Sequence, residues 1–185
     1  MKILVTAGGT GGHIYPALAL IEKFKEHDPK TEVVYVGTTN RMEKDIIPAQ
    51  NIKYIPIEIY GLTKNILKDL KDIYLILKDE KQMEKLMLEF KPDFVLGIGG
   101  YVTYPVIKAA HKLGIKIFIH EQNAIPGKVN KLTSKYADLI GVSFKESIKY
   151  FNNKNVFYSG NPTGERALTI PAISKESIGL NPNKH

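Results

Sequence analysis

The run Gly8-Gly9-Thr10-Gly11-Gly12-His13 sets four glycines and a threonine directly before a histidine, between an apolar strand pattern over 2–7 and an apolar helical pattern that begins at Ile14. A strand, a glycine turn and a helix N-terminus in that order make an anion site. First-turn amides lack partners within the helix, and the helix dipole adds positive potential. Phosphate is the natural guest. The loop lacks the Gly-Lys-Ser/Thr ending of a P-loop nucleotide site. It also departs from the dinucleotide fingerprint: Ile14 stands where a third glycine or alanine belongs, and the second strand pattern ends in Gly37-Thr38 with no carboxylate for a ribose. An NAD or FAD site is disfavoured on both counts.

His13 falls at the positive end of the following helix, which should lower its pKa and keep the imidazole neutral. A neutral imidazole can serve as a general base; a capping or packing histidine is the other reading, and both stay open here. Gly99-Gly100-Tyr101 repeats the glycine-loop logic after another strand pattern, with Pro105 in the first turn of the next helix. Two such loops facing one cleft would hold a diphosphate and the sugar beyond it, although each glycine pair alone also serves a tight strand-to-helix turn. Glu121, Gln122 and Asn123 follow the apolar run 115–120. Such side chains suit sugar hydroxyls and amides; Gln122 alone also reads as a polar turn residue capping the next helix. His27, His111 and His185 read as surface residues, and no His/Asp/Glu spacing suits a metal.

The elements that must carry these groups are legible as alternation. Apolar runs at 2–7, 32–37, 52–57, 93–99, 115–120, 138–144 and 155–160 have strand length, and several are apolar without a break, as strands covered on both faces are. Helical patterns lie between them at 14–27, 41–50, 66–90, 103–113, 128–136 and 145–151. This predicts a doubly wound, mainly parallel α/β sheet of about seven strands, Rossmann-like, with ligands outside the carboxyl ends of the strands. The domain is expected over 1–160 and a linker over 161–185, where Pro162, Pro171 and Pro182 punctuate a polar stretch.

Composition bounds the function. With 43% hydrophobic and 24% charged residues among 185, the chain is an ordinary globular protein. The net charge of +7 invites an anionic partner, but no dense Lys/Arg run with interleaved aromatics is present, so nucleic acid is not expected. Cysteine is absent, which excludes thiol chemistry. No signal-peptide pattern opens the chain, and the uncharged stretch 94–107 is too short for a membrane span and is broken by glycines and a proline; a cytoplasmic location is expected. Over 66–78 an apolar stripe at Ile66, Leu70, Ile73 and Leu77 is widened by Leu67 and Tyr74 and flanked by Lys64, Lys68 and Lys71. That pattern suits an interfacial membrane contact, or a helix packed on the sheet.

Four strings, GGTGGHIYPALAL, LGIGGYVTYPVIKAA, HEQNAIPGKVNK and GNP at 160–162, resemble in order and spacing the MurG family, the N-acetylglucosaminyltransferases of peptidoglycan synthesis. The resemblance covers Met1 to about Arg166. It implies the amino-terminal, acceptor-binding half of a GT-B glycosyltransferase that moves GlcNAc from UDP-GlcNAc to lipid I, giving lipid II on the inner face of the cell membrane. The same resemblance implies inversion at the anomeric carbon, no catalytic metal or other cofactor, and a role in cell-wall biogenesis and hence cell shape and division. Carried over by position, His13 would be the candidate base, with Glu121 the other group that could take the proton. Thr10, Gly11, Gly12, Gly99, Gly100 and Tyr101 would line the cleft, Glu121 and Asn123 would orient the sugars, and Arg166, offset after GNP, would contact the donor. UDP-GlcNAc would be held mainly by a second domain, without which the chain should be inactive. Segment 66–78 falls where the family meets an anionic membrane surface. An acceptor half acting on a different lipid-linked sugar, and a non-catalytic module for anionic lipid, are the alternatives.

Overall fold

Short apolar runs pair side by side, and among the described residues seven strands do so, those at the centre buried on both faces and the two edge strands partly exposed. The computed structural model describes residues 1–58, 66–152 and 155–164, with 66–77 described as backbone. The strands are β1 (Lys2–Ala7), β2 (Glu32–Thr38), β3 (Lys53–Ile57), β4 (Phe94–Gly99), β5 (Lys116–Glu121), β6 (Leu139–Val142) and β7 (Val156–Tyr158). They form one sheet in the order β3-β2-β1-β4-β5-β6-β7, and every neighbouring pair is parallel. The doubly wound α/β expectation holds, with a sheet that is parallel throughout.

The helices are α1 (Gly11–His27), α2 (Glu43–Ile46), α3 (Ile66–Phe90), α4 (Thr103–Lys112) and α5 (Lys128–Thr133), with 3-10 turns at Pro48–Gln50, Ser134–Tyr136 and Lys145–Tyr150. Three expected helices are shorter than their patterns. The 41–50 helix breaks at Pro48, which lacks an N–H and opens a 3-10 turn instead. The 128–136 pattern divides into α5 and a 3-10 turn, and 145–151 is a 3-10 helix. α1 begins earlier than expected, at Gly11, so that Gly11, Gly12 and His13 form its first turn.

Side chains alternate across each strand, and the two faces bury different layers. Ile3, Val5 and Ala7 of β1 and Phe94, Leu96 and Ile98 of β4 pack with Ile14, Ala17, Leu18 and Ile21 of α1. On the opposite face Leu4, Val36 and Val95 meet Met83 and Met87 of α3 and Val106 and Ile107 of α4. Full burial of each such side chain contributes about 1.5–3 kcal/mol, which anchors β1 and β4 at the centre of the molecule. Gly97 lets α4 approach: a Cβ there would lie 3.0 Å from Thr103 Cγ2 and 3.1 Å from Ile107 Cδ1.

The chain winds outward from β1 to β3, then returns to the centre and winds the other way from β4 to β7. The sheet therefore has its switch point between β1 and β4. In open parallel sheets, ligands bind outside the carboxyl ends of the strands at such a point.

Candidate functional site

Both glycine loops leave the sheet at this switch point. The Gly8 N–H donates to the Gly99 carbonyl at 3.1 Å, stitching the tip of β1 to the tip of β4. Gly100 packs so tightly that a Cβ there would run into the Gly8 carbonyl oxygen. Gly9, Gly99 and Gly100 also have φ values of +95°, +134° and +91°, a region that side-chain-bearing residues rarely enter. In the first loop Thr10 is the extended N-cap of α1, and Thr10 and Gly12 are exposed. The Gly11 and Gly12 amides have no carbonyl one turn back to bond. The Gly9 amide turns inward to a carboxylate, so the amides this loop leaves outward are those of the Thr10–Gly12 arc rather than of the whole glycine run.

His13 stands on the first turn of α1, above this contact. Its Nδ1 lies 3.2 Å from the Gly8 carbonyl oxygen and 3.3 Å from Thr10 Oγ1. A carbonyl only accepts, so Nδ1 carries the hydrogen and Nε2 keeps its lone pair. The ring rests on Gly99, where a Cβ would sit 2.9 Å from Nε2. Burial pushes the His13 pKa below the usual imidazole value, while Glu121, the Gly8 carbonyl and Glu43 act the other way. The shift is in the direction that favours a neutral imidazole, as the sequence led us to expect, and desolvation is its largest cause.

The tip of β5 adds a third polar cluster. Glu121 is wholly buried and both its oxygens are engaged: Oε1 accepts from the Asn123 N–H at 2.8 Å and Nδ2 at 2.9 Å, and Oε2 from the Gly127 N–H and Asn130 Nδ2, each at 3.0 Å. Its geometry is that of a brace folding the 121–127 loop into α5, while Asn123 remains exposed. Gln122 does not cap the next helix; it is buried, and its Nε2 donates to the carbonyls of His120 at 2.8 Å and Ile98 at 3.2 Å. Asn130 Nδ2 donates to the same Ile98 carbonyl at 3.1 Å, locking β5 to the residue before Gly99. Among the described residues the buried Gln122 Oε1 and Asn130 Oδ1 atoms have no hydrogen-bond partner.

Sequence reasoning missed three residues here. Glu43 reads as part of a polar surface helix, yet it is wholly buried under the first glycine loop. His120 reads as the end of a strand, yet its buried ring links β5 to the segment after β7: Nε2 donates to the Gly160 carbonyl at 3.2 Å and Nδ1 accepts from Gln122 Nε2 at 3.3 Å. The Gly160 carbonyl also accepts from Ser143 Oγ and Ser159 Oγ. Asn130 gave no signal beyond its place in an amphipathic pattern. The only usable hint was polarity at positions where the periodicity calls for apolar residues.

Tyr101 is about half exposed beside the second loop. In the GNP string Gly160 has φ +75° and Asn161 Oδ1 accepts from the Thr163 N–H and hydroxyl, capping a helical turn over 162–164. Lys64 and Arg166 lie outside the described residues. Ile66, Leu67, Lys68, Leu70, Lys71, Ile73, Tyr74 and Leu77 fall on the backbone of α3, and their side chains lie outside the described set. Among the described residues no helix is long and apolar enough to cross a membrane.

Residues 3–142 match the glycosyltransferase family 28 N-terminal domain. The chain is 43% identical to the UDP-N-acetylglucosamine–N-acetylmuramyl-(pentapeptide) pyrophosphoryl-undecaprenol N-acetylglucosamine transferase of Halalkalibacterium halodurans, covering 100% of this chain and 51% of that protein. It is 40% identical to the transferase of the same name from Bacillus subtilis, again over 100% of this chain and 51% of the relative. The chain thus spans about half the length of the curated relatives it matches. Among solved structures it superposes on MurG of Acinetobacter baumannii with a TM-score of 0.75 at 29% identity, over 97% of this chain and 49% of that one. UDP-GlcNAc 2-epimerase from Neisseria meningitidis shares the fold, with a TM-score of 0.65 at 17% identity, over 91% of this chain and 50% of that one. With the family domain covering most of its length and the glycine loops meeting at the switch point, the chain belongs to glycosyltransferase family 28, as its N-terminal domain.

Proposed function

We propose that this chain is the acceptor-binding half of an inverting transferase that moves GlcNAc from UDP-GlcNAc to the C4 hydroxyl of the MurNAc unit of lipid I. The observation that carries this reading is the orientation of His13. Its Nδ1 is held by the Gly8 carbonyl, its Nε2 lone pair is left for an incoming hydroxyl, and the Thr10–Gly12 arc beside it offers amides to a diphosphate. In the step proposed, the acceptor oxygen attacks the anomeric carbon of the donor and its proton passes to His13 Nε2. The bond from that carbon to the UDP oxygen breaks, and UDP leaves with the bonding pair. Buried Glu121, which favours the charged imidazole, stabilises the cation formed on His13.

Placing the donor's anomeric carbon and stabilising the departing UDP need groups on the far side of the cleft. The relatives are about twice as long as this chain, which is in keeping with a second domain for those tasks. Transfer by this chain alone is expected to be absent. The basic, apolar pattern over 66–78 is proposed to rest on an anionic membrane, bringing the lipid-linked acceptor to the crevice.

Calorimetric titration tests the reading. A water-soluble short-chain lipid I analogue is expected to bind this chain, with UDP-GlcNAc binding little. Binding of UDP-GlcNAc with no response to the analogue would overturn it.

A further inference from the structure

We propose that Glu43 is a positioning residue for the site: its buried carboxylate ties the tip of β2 to the first glycine loop and thereby holds His13 in place. The inference rests on the reading of His13 as the base. Glu43 Oε1 accepts from the Thr38 N–H at 3.0 Å and the Thr38 hydroxyl at 2.7 Å, and Oε2 accepts from the Gly9 N–H at 3.4 Å. Thr38 is itself clamped to β3, because Tyr54 Oη donates to its carbonyl at 2.6 Å.

The surroundings are shaped for the carboxylate. A Cβ on Gly8 would lie 2.7 Å from Glu43 Oε1, and one on Gly37 would lie 2.8 Å from Glu43 Cγ. Two strand tips are thus bare of side chain where Glu43 enters. A buried carboxylate is costly unless hydrogen bonds or opposite charge compensate it. Here three donors do so, and among the described residues Glu43 has no cationic partner.

The geometry gives that charge two consequences. The Gly9 amide is drawn inward, which fixes the turn at φ +95° and aims the next residues, Thr10 to Gly12, outward. Gly8, whose carbonyl orients His13 Nδ1, is pinned between Glu43 and the Gly99 carbonyl. The groups around the carboxylate respond as neighbours of an anion do. Tyr35 and Tyr54 have their pKa values raised, first by burial and then by Glu43, and His13 is drawn toward its charged form by Glu121 and Glu43 against the larger effect of burial. When His13 takes a proton, Glu43 stands on the β2 side of it and Glu121 on the β5 side.

The test compares the 185-residue chain with its Glu43→Gln and Glu43→Asp variants by NMR. In Glu43→Gln, the amide end of the new side chain cannot accept from Gly9 while its oxygen still serves Thr38. Gly9 amide exchange is expected to speed up about tenfold, with Thr38 exchange retained. The His13 titration midpoint is expected to fall, and affinity for the soluble lipid I analogue to weaken about fivefold. Glu43→Asp keeps the charge and should return the His13 midpoint toward wild type, a rescue that a purely packing role would not produce. A folded Glu43→Gln chain with unchanged Gly9 exchange and an unchanged His13 midpoint would overturn the inference. If Glu43→Gln does not fold, the wild type decides: a Gly9 amide that exchanges as fast as that of Gly12 overturns the inference, and a protected one supports it. Failure of the wild type to bind the analogue would instead strike at the proposed function, since the NMR readings need no ligand.

Discussion

The two glycine loops have nearly the same composition and opposite employment. In the first, a Cβ on Gly9 would meet nothing within 4 Å, and one on Gly12 would meet only Thr10 Oγ1 at 3.6 Å. In the second, Gly99 lies under the His13 ring and Gly100 lies against the Gly8 backbone. The first loop is packed at Gly8, against Glu43, and leaves open space at Gly9 and Gly12. The second is bare so that the first can be placed. Glycine content alone marks neither role; the atoms a missing side chain would have met distinguish them.

Substitutions sharpen this contrast. Gly100→Ala combines a positive φ with a collision against backbone, which cannot give way cheaply, and should destabilise the chain by about 3 kcal/mol or more in urea unfolding. Gly99→Ala meets a side chain instead. It should cost about 2 kcal/mol and push the imidazole off its seat, seen as loss of the Nδ1–H tautomer in the nitrogen spectrum. Gly9→Ala keeps only the backbone strain of φ +95° and should cost about 1 kcal/mol. Gly12→Ala should leave stability unchanged or raise it by up to about 1 kcal/mol, since alanine is the better helix residue, while weakening the lipid I analogue. A Gly12→Ala chain that lost stability as Gly100→Ala does would erase the distinction between the loops.

Acidity reads the same region more gently. His13 and His120 both have pKa values depressed by burial below the ordinary 6.5. As pH falls through about 6.5 the unfolded chain binds protons that the folded chain does not, so stability should decline from there until the depressed folded values are reached. Above that window these two groups contribute no slope. His120→Gln should flatten part of the decline, as followed by thermal unfolding from pH 7 to pH 5.

The sheet was legible because β1 and β4 are apolar along most of their length, the mark of strands covered on both faces, and β5 carries an apolar run over Ile117–Ile119. The placement of the candidate site's glycine loops followed from those strand ends. The site's supports did not, for a physical reason: Glu43 is buried by Gly8 and Gly37 and His120 by Ser159 and Gly160, contacts that no local period encodes. Glu121 and Asn123 were legible as polar groups at a strand end, while the division of labour between them, one buried as a brace and one exposed, depends on where Gly127 and Asn130 return. Helix ends were misjudged where proline or a 3-10 turn interrupts an apolar pattern, as at Pro48.

β1 lies in mid-sheet although it precedes the other six strands in the chain. It is joined to the β4 region by a contact such as Lys2 with Asp93, 91 residues apart. At roughly 5–20 residues per second of synthesis, the second partner leaves the ribosome about 5–20 s after the first. For that interval a nascent β1 can pair with β2 on one side only, and its other edge is open to any strand it meets. The Gly8–Gly99 stitch cannot form before then either. The topology that gives the protein its crevice also delays the crevice until more than half of the chain has been made, so translation speed and the shielding of one apolar edge should govern how much of the protein reaches its folded state in a cell.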